Sequence, residues 1–319
     1  MARIAIIGLV GKSMFFDVPR FHSCGETITA KSLYEEWGGK GFNQAVAAAR
    51  QDAAVMFLGA VNASDAKPLK DFCAKEGIRA TLAAKKKPTA CAAILTDGTG
   101  ETRVTVYPGA ELEPRDVDGF AGAIATADVL LLNNEVPEAV NLAAVELAVK
   151  YDVQVVYNPA PARKLPKAII SAVSVFTPNE FEEESLFGDL PCREWPCRSG
   201  EVGRGMKREW PCRSVEVERE MGREWPCRSV ENEEGVAGFE VVTTLGARGC
   251  RIRSTGEVVP APPAKAVDTT GAGDTFTAVL AVRLAEGDKL RDACIAANEA
   301  AAQSVAVKYV MPSLPTRSK

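Results

Sequence analysis

Short, mostly apolar runs alternate along this chain with longer stretches in which apolar residues recur every three or four positions. Residues 3–7, 54–61, 129–132, 153–157, 173–176 and 241–246 are runs of strand length. Between them, residues 43–50, 67–77, 117–127, 139–150 and 293–307 carry helical spacing or small-residue helical composition. A strand that is apolar at every position, such as Val129-Leu130-Leu131-Leu132, is buried on both faces, as parallel strands covered by helices are. The alternation therefore predicts an α/β fold with a mostly parallel central sheet between helical layers. Residues 14–37 and 89–107 read differently. Phe15, Phe16 and Val18, then residues 25–30, form short strand and turn patterns, and Asp97-Gly98 offers a hairpin turn between 89–96 and 101–107. Together they predict a small β-rich layer over the larger domain.

The pattern breaks at residues 193–237. Three successive fifteen-residue units begin Arg-Glu-Trp-Pro-Cys-Arg-Ser, at 193, 208 and 223. A proline in each unit rules out a paired-helix repeat. Cys192, Cys197, Cys212 and Cys227 lack the close spacing of a structural zinc site. Nine basic and ten acidic residues in the 45 predict a solvated, poorly packed insertion over about 189–237.

The strongest chemical signal is Val267-Asp268-Thr269-Thr270-Gly271-Ala272-Gly273-Asp274-Thr275-Phe276. An extended, Pro-rich approach over 258–267 meets a helical pattern there. A helix N-terminus presents unpaired N–H groups and a positive dipole end to an anion. Gly271, Ala272 and Gly273 would let a phosphate reach those amides, and Asp274 beside it could take a proton from an attacking hydroxyl. Gly38-Gly39-Lys40-Gly41, ahead of the 43–50 helix, is a second candidate for holding polar ligand groups. The string Gly11-Lys12-Ser13 is not a phosphate loop, because that motif needs a glycine where Ile6 stands. Polar residues close several strands, as at Asn133-Asn134-Glu135 and Asn158, where open α/β sheets place ligands.

Composition narrows the class. A net charge of -4 gives no electrostatic footprint for nucleic acid or an anionic membrane. No apolar run reaches membrane-spanning length, and the first residues read as a strand rather than a signal peptide. Nine cysteines, an odd number, predict free thiols in a reducing compartment, hence the cytoplasm.

The 268–274 string resembles the signature of the ribokinase-like, or PfkB, carbohydrate kinases. So do GGKGFNQAVAAAR at 38–50, TVYPGAEL at 105–112, NPAPARKLP at 158–166, TPNEFE at 177–182 and TTLGARG at 243–249. The resemblance implies a three-layer kinase domain over 1–319, with a β-rich lid from about 14–37 and 89–107. It implies ATP-dependent phosphoryl transfer to the primary hydroxyl of a pentose, D-ribose giving ribose 5-phosphate. Asp274 resembles the general base, and Gly271, Ala272 and Gly273 the anion hole. Gly39, Lys40, Asn43 and Glu135 resemble sugar-binding residues. Asn179 and Glu182 match the pair near Mg²⁺ and the phosphates; Thr244, Gly246, Gly249 and Asn298 match the nucleotide edge. Asp268 and Thr270 resemble part of a K⁺ site. A homodimer through the lid follows from the same likeness.

The chain departs from the family pattern at three places. Gly11 and Ser13 stand where an asparagine and an aspartate usually hold sugar hydroxyls, Tyr309–Ser313 replaces a Gly-Ala-Gln-x-Ser segment, and the repeats occupy the place of a covering helix. They motivate two alternatives: a PfkB-type kinase for another sugar or a nucleoside, and a silent kinase fold that binds a ligand or partner.

Overall fold

The computed structural model describes residues 1–187 and 238–317. The repeats at 193–237 lie outside the described residues. Strands β1 (Arg3–Ile7), β4 (Ala54–Asn62), β5 (Arg79–Lys85), β8 (Val129–Asn133), β9 (Gln154–Asn158), β10 (Val175–Phe176), β11 (Glu240–Thr244), β12 (Cys250–Ile252) and β13 (Val258–Val259) form one sheet. Its order is β13-β12-β11-β10-β9-β8-β1-β4-β5. All pairings from β5 to β11 are parallel; β12 and β13 add an antiparallel edge.

Period-two alternation divides each apolar run between two cores. Ile4, Ile6, Val129 and Leu131 pack in the core that contains Phe42, Ala45, Phe276, Leu280 and Ala297. Ala5, Ile7, Leu130 and Leu132 pack in the opposite one with Val117, Ile124, Val140 and Ile169. The Lys40–Arg50, Ala272–Ala285 and Leu290–Ser304 helices thus cover one face. The Glu138–Lys150 and Lys167–Ala172 helices help cover the other. Nearly every side chain of Ala272–Ala285 from Asp274 onward is buried, which explains an apolar composition with no clean polar stripe.

A second, four-stranded sheet has the order β3-β2-β6-β7, where β2 is Gly11–Asp17, β3 Ser32–Gly38, β6 Ala90–Thr96 and β7 Thr102–Tyr107. The expected strand at 25–30 is displaced to β3. Antiparallel register pairs Gly11 with Gly38 and Asp17 with Ser32, leaving 18–31 as the connection, with Ser23 N–H donating to Glu26. The helix expected over 117–127 is two pieces, Pro114–Asp118 and Ala121–Thr126, parted at Gly119-Phe120. The extended approach at 258–267 is a strand only at Val258–Val259. Strands β5 and β12 were not foreseen; both lie toward the sheet margins, where alternation is weak and burial partial.

Candidate active site

Two glycines set the first half of the site. A Cβ on Gly41 would come within 2.5 Å of Gly8 Cα, so the start of the Lys40–Arg50 helix lies directly on the chain leaving β1. That contact turns Asn43 and Gln44 toward the Ala272–Ala285 helix. Asn43 Nδ2 donates to Asp274 Oδ2 at 2.8 Å, and Gln44 Nε2 to Asp274 Oδ1 at 3.2 Å. Gln44 also reaches Asn158 Oδ1 at the end of β9, at 3.4 Å. Glu135, just past β8, accepts the Lys40 backbone N–H at 2.6 Å, and Asn133 Oδ1 accepts the Glu135 N–H at 3.0 Å.

Gly271 supplies the second half. It is the N-cap of the Ala272–Ala285 helix at φ 81°, a left-handed turn that aims the first-turn amides away from the helix body. On one side lies a cavity of about 290 Å³ lined by Gly39, Lys40, Asn43, Glu135, Thr270, Gly271 and Asp274, with Ile94, Val104 and Val106 of the small sheet opposite. On the other lies a cavity of about 450 Å³ lined by Thr244, Gly246, Gly249, Asn298, Ala272 and Gly273, among alanines and prolines. One helix N-terminus separates the two.

The electrostatics are concentrated on the first side. Asp274 is 5% exposed. Burial raises its pKa above the usual carboxylate value, and the Lys40 charge and the two amide donors oppose that rise. Lys40 is raised by Asp274 first of all, with Glu135 and Glu182 adding to it, so its ammonium stays charged despite burial. Glu135, also buried, is pushed up to about 7, with Lys40 opposing the burial and Asp274 adding to it. Burial thus favours the protonated form of both carboxyls, like charge adds to it at Glu135, and Lys40 opposes it at each. Asn43 Oδ1 is buried with no hydrogen-bond partner.

Asn179 and Glu182 line neither cavity. They make a reciprocal pair: Asn179 N–H donates to Glu182 Oε2 at 2.9 Å, and Glu182 N–H to Asn179 Oδ1 at 2.8 Å. This is a capping arrangement at the Glu180–Phe187 helix, and it leaves Glu182 Oε1 without a hydrogen bond among the described residues. Asp268 Oδ1 accepts the Thr270 N–H at 2.9 Å, and its Oδ2 accepts the Tyr309 N–H at 3.0 Å.

Sequence reasoning missed Gln44. Its signal was present, because Asn43-Gln44 is the polar pair inside an apolar run, Phe42 to Ala49, that the sheet buries. Asn158 and Asn133 were noticed as strand-end residues without a partner; the structure brings both to Gln44, and Asn133 also to Glu135.

An acidic residue buried at a helix N-terminus, lining a cavity that holds Lys40 and Glu135 and backed by a larger apolar cavity, suits an enzyme that moves an anionic group between two ligands. The chain matches the pfkB family carbohydrate kinase description over residues 1–191 and 230–317. It belongs to that family and is a sugar kinase. A ribokinase of Haemophilus influenzae is 33% identical over 99% of this chain and 96% of its own length. A bifunctional ribokinase/ribose-5-phosphate isomerase A of Fructilactobacillus sanfranciscensis is 30% identical, and the chain spans 55% of that longer protein. The crystal structure of a Thermotoga maritima ribokinase superposes with a TM-score of 0.77 at 29% identity, covering 99% of this chain and 97% of the other. No described helix is long and apolar enough to cross a membrane.

Proposed function

We propose that the protein transfers the γ-phosphoryl group of ATP to the primary hydroxyl of D-ribose, giving ribose 5-phosphate and ADP. The observation that carries this reading is Asp274, buried at the partition between the cavities and fixed through both carboxylate oxygens by Asn43 and Gln44. The acceptor hydroxyl approaches Asp274, which lines the smaller cavity and removes its proton as the oxygen attacks. The amides of Gly271, Ala272 and Gly273 face the charge that gathers on the transferred group. ATP lies in the larger cavity, its base among the alanines and prolines and its phosphates toward the helix N-terminus.

The donor sets fit the expected ions. Glu182, with one oxygen free of its capping bond, and Asn179 would hold Mg²⁺, which neutralises phosphate oxygens when bound. Asp268 and Thr270 would hold K⁺; the Asp268 carboxylate accepts only backbone N–H groups and faces no hydrogen-bonded cation among the described residues. The small sheet acts as a lid whose closure excludes water from the acceptor. Its edge strand β7 is exposed at every residue, with Val106 at 61%, and would pair with a second copy in a homodimer. The described cysteines are free thiols, in keeping with a cytoplasmic enzyme.

The test is ADP release by the full chain with Mg-ATP, K⁺ and ribose, beside other pentoses, hexoses and nucleosides. Turnover on ribose above the rest of the panel is expected. Turnover confined to another acceptor would move the assignment to that substrate, and ATP binding without turnover on any would overturn it.

A further inference from the structure

Phosphoryl transfer as described makes no use of Glu36 or Tyr309, yet both join the small sheet to the anion-hole turn. Glu36 stands on β3, where Oε1 accepts the Val310 N–H and Oε2 the Met311 N–H, each at 3.0 Å. Val310 then packs on the N-cap of the catalytic helix: a Cβ at Gly271 would lie 2.7 Å from Val310 Cγ1. The same segment is tied to that turn by Asp268, which accepts the Tyr309 and Thr270 N–H groups. Tyr309 has φ 68°, a left-handed conformation disfavoured once a Cβ is present. Aromatic contact with the small sheet joins the Asp268 bond in holding it. Its ring stacks on Tyr34 with centroids 4.0 Å apart and meets Phe15 edge-on at 5.1 Å.

We propose that Glu36 is a positioning residue for the transfer step: through Val310 it fixes the Gly271 turn and couples the small sheet to the anion hole. A carboxylate that takes both leading amides of one segment sets its height against Gly271. Displacing that segment moves the helix N-cap away from the transferred group; of the acceptor-cavity lining it shifts Val310 and Gly271 and leaves Lys40, Asn43, Glu135 and Asp274 in place. The effect therefore falls on turnover rather than on binding.

The inference rests on the kinase reading, and the experiment separates the two. Steady-state ADP release is measured for the full-length wild type, Glu36→Ala and Glu36→Gln, varying ribose and ATP in turn. Glu36→Ala is expected to lower kcat about tenfold while both KM values stay within about twofold. Glu36→Gln keeps one of the two acceptor oxygens and should recover part of that loss. An unchanged kcat in Glu36→Ala would overturn the proposal, as would a rise in sugar KM alone, which would make Glu36 a packing residue of the small sheet. If Glu36→Ala melts below wild type, the near-isosteric Glu36→Gln decides by the same criteria. A wild type silent on every sugar would instead refute the function itself.

Discussion

The two cavities share one helix N-terminus but are built on opposite principles. On the proposed acceptor side, Lys40, Glu135 and Asp274 bring charge into a largely buried place, with Asn43 and Gln44 donating to Asp274 and the Lys40 backbone N–H to Glu135. In the larger cavity, the proposed nucleotide side, the walls are small and apolar, and Asn298, the polar side chain best buried there, is turned to the Val259 carbonyl at 2.9 Å. A small, hydroxyl-rich acceptor has to be oriented and deprotonated, and that requires charges whose burial is costly. A nucleotide base has to be enclosed, which shape and apolar area accomplish. The charged side should accordingly respond to isosteric changes of charge, and the apolar side to changes of volume.

Asp274→Asn is the hardest test of that contrast. It should lower kcat by at least about a hundredfold while ATP affinity holds. Because burial opposes the charge at this position, its melting temperature should hold or rise. ADP release, ATP titration and a thermal melt together check it, and a loss below about tenfold would remove Asp274 as the base. Gly271→Ala touches both sides at the partition. The added methyl meets Val310 and the backbone is left-handed, so kcat should fall roughly ten- to a hundredfold with little change in either KM.

Glu135→Gln sharpens the acceptor side and should raise the sugar KM about tenfold, leaving that for ATP alone. It also carries a pH signature. A carboxyl at about 7 in the folded chain and near 4.5 unfolded binds more protons when folded, so its contribution is full below 4.5 and is lost as pH rises through 7. That amounts to at most about 3 kcal/mol. Thermal melts of the ligand-free protein from pH 5 to pH 8 should show a decline that Glu135→Gln flattens. The smallest effect belongs to the nucleotide side. Ala302→Leu adds volume to the apolar wall and should raise the ATP KM about three- to tenfold, roughly 1 kcal/mol, without touching the sugar KM. An equal rise in both would erase the distinction between the cavities.

Most residues of the proposed site could be singled out in the sequence because they lie in short contiguous strings whose chemistry is local. Gly39, Lys40 and Asn43 stand within five residues at one helix start, and Gly271 to Asp274 at another. The misplaced strand at 25–30 failed for the converse reason. Its alternation is sound, but register against β2 puts the pairing strand at 32–38. Asn179 and Glu182 show a third case, since their spacing of three reads as a helix cap as well as a ligand pair, and the structure makes the cap.

The sequence by itself determined the layered α/β fold and the family, and it singled out the helix N-terminus and the carboxylate that the proposed transfer uses. These depend on period, on small residues and on motif spacing, each of which is written along a few turns of chain. Only the tertiary structure decided that Gln44, 230 residues from Asp274, shares its carboxylate. Only it placed Glu36 against Val310, 274 residues away. Contacts at such separations are set by how sheets and helices stack, and no local pattern records them.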